Sequence, residues 1–384
     1  MRRSLALLLL FAILAALLAA GPAPAASSAP EVRARALLVG NGRTGEILYA
    51  RNPDLRLPMA SITKLMTAVV TLQHARPSDV VTVRGPAPSV GESTIYLQAG
   101  ERLPVRDLLA AALIQSANDS AFALASDVGG GSVARFVSLM NAEADELGLD
   151  ETHYVRPDGL DAAGHYSSAR DTFDLARVAM QEPLVRRLVR RRALHIAGGR
   201  TIHTWNDLLG VYPGTIGVKT GHTDRAGWSE VAAARRDGTT IYAVVLGSPS
   251  RARRNADLER LLDWGFDQYG RFTLVRDGER YATAAIPFSD ERIDLVADGA
   301  VERVLRLGQG TDLVERVVSP RMVDPPVKPG EQLGEVAVLS AGRVLARRPL
   351  VAARPVPDVG FGTRVGWYAD RALDEAGDLL GTVF

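Results

Sequence analysis

The feature that most constrains the fold is a long stretch of helical periodicity with strand patterns on both sides. Between residues 61 and 190, apolar residues recur mainly at the spacing expected of amphipathic helices. Before this stretch, two short apolar runs flank a polar turn at residues 42–45 and predict a β-hairpin. After it, three runs predict strands, at residues 217–220, 228–234 and 240–246, and a helix follows them. Strands at both ends of a helical segment predict an α+β domain, which we place at residues 30–270.

The pattern of the sequence changes after Gly270. Strand-like runs, at residues 301–307, 336–339 and 344–350, alternate with Pro- and Gly-containing turns. We therefore predict a small all-β domain over residues 271–355. Its residues indicate no chemistry, and a spacer or packing platform is the simplest interpretation.

The N-terminus has the pattern of a secretory signal peptide. Arg2 and Arg3 precede an apolar run, and Ala23-Pro24-Ala25 provides the small residues that a signal peptidase recognises. Residues 1–25 are predicted to be this signal peptide, with an uncleaved membrane anchor as the alternative. The predicted location is extracytoplasmic, either secreted or periplasmic.

Composition excludes several kinds of function. The chain has no cysteine, so it has no disulfide, thiol nucleophile or thiolate-bound zinc. Its 45 Lys and Arg residues against 44 Asp and Glu residues give a net charge of +1, which does not favour nucleic acid as a partner. The six His residues lack metal-ligand spacing, so we predict no metal site.

Candidate chemistry begins at Ser61-Ile62-Thr63-Lys64, which places a hydroxyl and an amine on one face of a first helical turn. A serine becomes a nucleophile when a nearby base takes its proton, and lysine can be that base when burial and a neighbouring cation lower its pKa. Taken alone, the pattern equally describes a capping serine beside a surface lysine.

Two further motifs follow in chain order. Ser116-Ala117-Asn118 lies after an apolar helix, and offers a hydroxyl and an amide, although an ordinary helix junction would look the same. Lys219-Thr220-Gly221 lies in a predicted strand, where the first two residues supply a cation and a hydroxyl for a carboxylate. Gly221 would let a ligand backbone approach the strand closely.

In this order, Ser-x-x-Lys, Ser-x-Asn and Lys-Thr-Gly are the signature of penicillin-recognising serine enzymes. The text around them, including Gln-Ser-Ala-Asn-Asp-Ser-Ala and Val-Lys-Thr-Gly-His-Thr-Asp-Arg-Ala-Gly, resembles the serine-type D-alanyl-D-alanine carboxypeptidases, the low-molecular-mass penicillin-binding proteins. The resemblance covers residues 30–270, and residues 326–331 with the strands after them also resemble that family's C-terminal β-domain. It implies the penicillin-binding fold, an antiparallel sheet with a helical lobe.

The resemblance also implies a mechanism without metal or organic cofactor. Ser61 would attack the carbonyl of a D-Ala-D-Ala stem peptide of peptidoglycan and become an acyl-ester, with Lys64 as general base. Ser116 would relay a proton to the departing D-alanine. Penicillin would acylate Ser61 as a mimic of the dipeptide, so β-lactams are the implied inhibitors.

Substrate contacts are implied in the same way. Asn118 would hydrogen-bond the substrate backbone, and Lys219 with Thr220 would hold the terminal carboxylate. The backbone N–H groups of Ser61 and His222 would form the oxyanion hole.

A second carboxylate-binding arginine is implied near residue 254. Arg254 matches it best, although Arg251 and Arg253 compete for the same role and a solvated basic turn is the plain alternative.

Two other functions share parts of this pattern. A class A-like β-lactamase has all three motifs but places a deacylating Glu before x-x-Leu-Asn, a context absent at Glu151 and Glu182. A wall-binding scaffold with little turnover would keep the fold, and the intact motifs argue against it.

The last segment, residues 361–384, has apolar residues at helical spacing and predicts an amphipathic helix of the kind that lies on a membrane. Four acidic residues against two arginines give this segment a charge of −2, which weakens attraction to anionic lipid. Peripheral membrane attachment through this helix is therefore left open.

Overall fold

The computed structural model describes residues 28–307 and 312–369, which form two compact units divided between Gln268 and Tyr269. The predicted signal peptide lies outside the described residues. In chain order the first unit contains β1 (Ala36–Asn41), β2 (Ile47–Arg51), α1 (Lys64–His74), β3 (Val80–Thr82), β4 (Arg102–Pro104), α2 (Val105–Ala110), α3 (Asn118–Val128), α4 (Val133–Glu146), α5 (Ala169–Ala179), α6 (Pro183–Leu188), β5 (Ala193–Ile196), β6 (Arg200–His203), β7 (Thr215–Thr223), β8 (Gly227–Arg236), β9 (Thr239–Ser248) and α7 (Arg251–Asp267).

An antiparallel five-stranded sheet is the centre of the first unit, in the order β2-β1-β9-β8-β7. Ile241 and Tyr242 are consecutive residues of β9, so their side chains point to opposite faces of the sheet. Tyr242 packs edge-on against Phe173 of α5, and Ile241 lies against Gly265 of α7. The sheet therefore has a helix on each face, which confirms the predicted α+β class.

The helical lobe is formed by α1 to α4, whose apolar residues share one core with the α5 face of the sheet. The prediction of a largely helical segment over residues 61–190 is confirmed with exceptions. The hairpin β3–β4 interrupts it, and residues 152–166 form an irregular loop before α5. Ser132 caps α4 by accepting the Arg135 N–H at 3.2 Å, because its hydroxyl satisfies an otherwise unpaired donor.

In the second unit, every regular element that the structure describes between Tyr269 and Ala352 is a β-strand, as the sequence predicts. It contains β10 (Tyr269–Val275), β11 (Arg280–Ala285), β12 (Arg292–Ala297), β13 (Val301–Arg306), β14 (Leu313–Val318), β15 (Gln332–Ser340) and β16 (Arg343–Ala352). A five-stranded sheet in the order β11-β12-β16-β15-β14 and the pair β10-β13 enclose one apolar core. Alternate residues of β12, among them Ile293 and Leu295, are fully buried there.

Residues 361–369 are helical, and the remainder of the predicted C-terminal helix lies outside the described residues. Within residues 28–307 and 312–369, we find no helix that combines the length and the apolar character needed to cross a bilayer.

Candidate active site

Ser61 and Lys64 are in contact at the start of α1. Ser61 lies in a single turn of 3₁₀-helix, Ala60–Thr63, and Lys64 is the first residue of the α-helix. The Lys64 Nζ donates to the Ser61 Oγ at 2.8 Å. The spacing of the two residues in the sequence therefore brings the hydroxyl to the amine, as the helical geometry predicts.

Lys64 is fully buried and makes two further hydrogen bonds. Its Nζ donates to the Asn118 Oδ1 at 2.7 Å and to the carbonyl oxygen of Asp158 at 2.6 Å. Burial lowers the pKa of Lys64 to about 8, because the charged amine loses its hydration, and the nearby Asp158 carboxylate opposes this change. The amine is therefore held in place by protein oxygens and has a substantial uncharged fraction near neutral pH.

Ser116 and Lys219 form a second hydroxyl–amine pair. A turn of π-helix, Ala111–Gln115, ends α2, and Ser116 then adopts a left-handed backbone with φ 67° before α3 begins. The buried Lys219 on β7 donates to the Ser116 Oγ at 2.9 Å and to the Thr220 carbonyl oxygen at 2.9 Å. Burial lowers the pKa of Lys219 well below its usual value, and the charge of Lys64 lowers it further.

The two pairs face one cleft with a volume of about 250 Å³. Of the residues predicted to form the site, the following line it: Ser61, Ser116, Asn118, Thr220, Gly221, His222 and Arg254. Lys64 and Lys219 reach it through their bonds to the two serines. The structure thus brings together three motifs that are far apart in the chain.

Gly221 brings the strand and the nucleophile turn together. β7 pairs with β8 on one side, and its other side runs past the turn that carries Ser61. A Cβ at residue 221 would lie 2.8 Å from the Met59 carbonyl oxygen, closer than real Cβ contacts come, and 3.1 Å from the Ser61 nitrogen, which is unusually tight. Glycine is therefore required here for the close approach of the two backbones.

Both polar atoms of Asn118 make hydrogen bonds within the protein, and its amide nitrogen carries a second N–H beyond the one used there. The Oδ1 accepts from Lys64, and the Nδ2 donates to the Gly91 carbonyl oxygen at 3.0 Å. The side chain therefore ties the base to the loop that borders the cleft next to Glu92 and Ser93.

The arginine ambiguity on α7 is reduced by the structure. Arg254 is buried and lines the cleft, and Arg251 lines it from a more exposed position. Arg253 instead pairs with the buried Asp257 at 2.9 Å and is absent from the cleft lining. The Arg254 Nη2 lies 3.2 Å from the Asp207 Oδ2, which also accepts from Arg251.

Several residues that support the site were missed in the sequence, among them one acid and two tryptophans. The buried Asp119 accepts the backbone N–H groups of Ile95 and Leu97 and holds the loop over the start of α3. The aromatic rings of Trp205 and Trp228 line the cleft. An acid after Asn118 in the first turn of a helix was a usable signal for Asp119, whereas isolated tryptophans in a sequence give none.

The buried His165 supports the nucleophile turn. Its Nδ1 accepts the Val155 N–H at 3.0 Å, so the Nε2 carries the proton and donates to the Thr63 Oγ1 at 2.9 Å. Burial lowers the pKa of His165 to about 4 and keeps the ring neutral. Among the residues the structure describes, no group of three or more acidic or His side chains is arranged to hold a metal ion.

A serine hydrogen-bonded to a buried lysine, opposite a second serine hydrogen-bonded to a second buried lysine, is an arrangement suited to a hydrolase that uses serine as its nucleophile. The profile of the Peptidase S11 family, described as D-alanyl-D-alanine carboxypeptidase, matches residues 23–250. The chain belongs to this family of serine-type D-alanyl-D-alanine carboxypeptidases, which are hydrolases.

Known proteins are similar to this chain over most of its length. The D-alanyl-D-alanine carboxypeptidase DacF of Bacillus subtilis is 30% identical over 329 residues, which are 83% of this chain and 84% of the relative. The structure of penicillin binding protein 6B from Escherichia coli is similar with a TM-score of 0.63 and 29% identity, covering 85% of this chain and 98% of that one. Penicillin-Binding Protein D2 from Listeria monocytogenes, in its ampicillin-bound form, has a TM-score of 0.57 and 31% identity, covering 62% of this chain and 100% of that one. These similarities do not favour the β-lactamase or scaffold alternatives.

Proposed function

We propose that this cleft removes the terminal D-alanine from the pentapeptide stems of peptidoglycan through an acyl-enzyme on Ser61. The observation that carries the proposal is the 2.8 Å contact between the Ser61 Oγ and the Nζ of Lys64, a buried amine whose pKa is about 8. Such an amine takes a proton from the hydroxyl as the oxygen attacks, because its uncharged form is available at the pH of the reaction.

The first half of the reaction forms the ester. The Ser61 Oγ bonds to the carbonyl carbon of the penultimate D-alanine, and its proton passes to the Lys64 Nζ. The C–N bond to the last D-alanine then breaks, Ser116 passes its proton to the departing amine, and Lys64 returns a proton to Ser116. The bond from Lys219 to the Ser116 Oγ supports this role, since it directs the hydroxyl of Ser116 into the cleft.

The second half returns the enzyme to its starting state. Water attacks the ester carbon and gives a proton to the Lys64 Nζ. The C–O bond to Ser61 breaks, and the shortened peptide leaves as a carboxylate after its new carboxyl group loses a proton to solvent. Ser61 recovers its proton from Lys64. In both halves the negatively charged oxygen accepts hydrogen bonds from the backbone N–H groups of Ser61 and His222. The close approach of the Ser61 backbone to Gly221 supports this assignment.

The terminal carboxylate of the substrate is received by Thr220, Lys219 and Arg254. This assignment is supported by the position of Arg254 and Thr220 in the cleft lining and by the buried Lys219 behind them. Asn118 positions Lys64 and the bordering loop, and its amide faces the substrate backbone. The cyclic amide of a β-lactam enters the same cleft, and the ampicillin-bound form of the Listeria relative supports this part of the proposal.

The first unit is the catalytic domain in this proposal, and the second is an appended β-domain. The substrate belongs to the wall outside the cytoplasm, and the signal-peptide pattern of residues 1–25 supports export. We assign residues 361–384 to peripheral attachment at the outer face of the membrane, supported by the helical residues 361–369 and the apolar periodicity that continues in the sequence.

Labelled penicillin tests the nucleophile. The wild-type protein is expected to carry one covalent label, and Ser61→Ala to lose both the label and D-alanine release, the latter by about 10³-fold or more. Ser93→Ala is the matched control: its hydroxyl also lies at the cleft but bonds the Gln115 carbonyl oxygen rather than a base. Full labelling of Ser61→Ala would refute the assignment, and loss of labelling in Ser93→Ala would show that the cleft tolerates no serine change.

A further inference from the structure

Glu230 is a buried acid that the proposed mechanism does not use. It lies on β8 directly opposite Thr220 of β7, and its side chain is fully buried. Neither of its carboxylate oxygens has a hydrogen-bond partner among the described residues. A buried carboxylate without hydrogen bonds is costly unless nearby cations stabilise it. The cations near Glu230 therefore explain why it is tolerated.

The nearest cation is Arg254, whose Nε lies 3.0 Å from the Glu230 Oε2. Both side chains are almost completely removed from solvent, with exposures of 2% for Arg254 and 0% for Glu230. Arg254 also forms an ion pair with Asp207, and the same Asp207 carboxylate pairs with Arg251, which lines the cleft. Glu230 is thus the fully buried anion behind an arginine that lines the cleft.

The charged groups that face Glu230 come from three elements. Arg254 and Arg251 lie on α7, Asp207 lies in the loop before β7, and Lys219 lies on β7. Lys219 in turn faces Lys64, Glu230 and Arg254. Two of the three charged neighbours of Lys219 are cations, so Glu230 is the anion that offsets them.

We propose that Glu230 is a positioning residue for this reaction: its buried carboxylate is the counter-ion that holds the two cations, Arg254 and Lys219, on the side of the cleft that receives the terminal carboxylate. The proposal rests on the function proposed above. Glu230 itself touches no reacting atom, and it acts through the two cations.

The directions of the pKa shifts agree with this geometry. Burial raises the pKa of Glu230 to about 7, and Arg254 opposes that rise. Burial and the charge of Lys64 lower the pKa of Lys219, and Glu230 raises it. Above pH 7 the carboxylate of Glu230 is mostly ionised. Glu230 therefore extends the pH range in which Lys219 stays charged.

The test is the pH dependence of kcat/KM for D-alanine release from a peptide that ends in D-Ala-D-Ala with a free carboxylate. In Glu230→Gln the alkaline limb is expected to move to lower pH by about half a unit to one unit, since removal of an anion lowers the pKa of Lys219. On that limb kcat/KM falls about three- to tenfold below wild type, with most of the change in KM. Glu230→Asp keeps the charge and should restore the limb.

Asp257→Asn is the matched control, because Asp257 is the other fully buried acid that pairs with an arginine of α7 and its partner Arg253 does not line the cleft. It should lower thermal stability without moving the limb. If Glu230→Gln does not fold, Glu230→Leu fills the same space without charge and must move the limb in the same direction. The proposal is overturned if the alkaline limb of the kcat/KM profile does not move in a folded, active variant with a neutral residue at position 230. It is also overturned if the limb moves equally in Asp257→Asn. Failure of the proposed function would look different, as absence of D-alanine release by the wild-type protein.

Discussion

The two units differ in what they bury. In the first unit, charged side chains such as Lys64, Lys219, Glu230 and Arg254 are almost completely removed from solvent. Among the described residues of the second unit, every buried side chain is apolar. The buried residues of β15 and β16, for example, are Val, Ala and Leu.

The difference shows that the first unit, and not the second, gives up folding stability to bury charged side chains. A buried charge costs free energy that its partners recover only in part, whereas a buried leucine or valine stabilises by about 1.5–3 kcal/mol. Several of the buried charged residues of the first unit, among them Lys64, Lys219 and Arg254, converge on one cleft, whereas the apolar core of the second unit serves folding. We therefore expect substitutions in the two units to separate activity from stability.

The largest expected effect is a pH dependence of the catalytic activity, which we place in the first unit. Acylation requires uncharged Lys64, whose pKa is about 8. As the pH falls from 8 to 6, the uncharged fraction falls from about one half to about one hundredth, so kcat/KM for D-alanine release should fall by about 50-fold. Stopped-flow labelling with a fluorescent penicillin measures the same step.

Lys64→Met is the control for this pH dependence, since it should remove nearly all acylation at every pH. A flat wild-type profile between pH 6 and pH 8, in a protein that still releases D-alanine, would show that Lys64 is not the group that titrates.

A smaller effect on activity is expected from the core of the second unit. Leu350 of β16 is fully buried there, and Leu350→Ala should lower the free energy of unfolding by about 2–5 kcal/mol through lost burial and a cavity. The kcat/KM for D-alanine release should stay within about twofold of wild type at temperatures where both units are folded. Leu38→Ala, in the sheet of the first unit, is the matched comparison. A large loss of kcat/KM in folded Leu350→Ala would mean that the second unit acts on the cleft.

The smallest effect on catalysis is expected from removal of residues 361–384. The truncated protein should release D-alanine from soluble peptide at the wild-type rate, while its membrane-bound fraction after cell fractionation should fall. The full chain, expressed and fractionated in parallel, is the reference. An unchanged membrane-bound fraction would remove the anchor assignment and leave the catalytic proposal intact.

Sequence reasoning predicted the residues that local geometry brings together or that recur as short motifs. The contact of Ser61 with Lys64 follows from helical spacing, and the cap at Ser132 follows from hydroxyl chemistry. The left-handed backbone of Ser116 could not be predicted, because it depends on the π turn before it and on the packing of the loop above α3.

Glu230 was missed for a related reason. It is followed in its strand by the apolar run of residues 231–234, and a single Glu beside such a run is normally taken for a solvent-facing residue. Its partner Arg254 lies on α7, so the pairing depends on how that helix packs against the sheet. Neither the spacing of the residues nor their periodicity contains this information.

The contact at Gly221 has a consequence for how such a site can diversify. The backbone of β7 lies there directly against the turn that carries Ser61, and this close approach depends on the absence of a side chain at residue 221. Neighbouring residues can change in size or charge and alter which molecules are accepted, while the spacing at the point of bond cleavage is preserved. Substrate selectivity and chemical reactivity can therefore change independently of each other at this site.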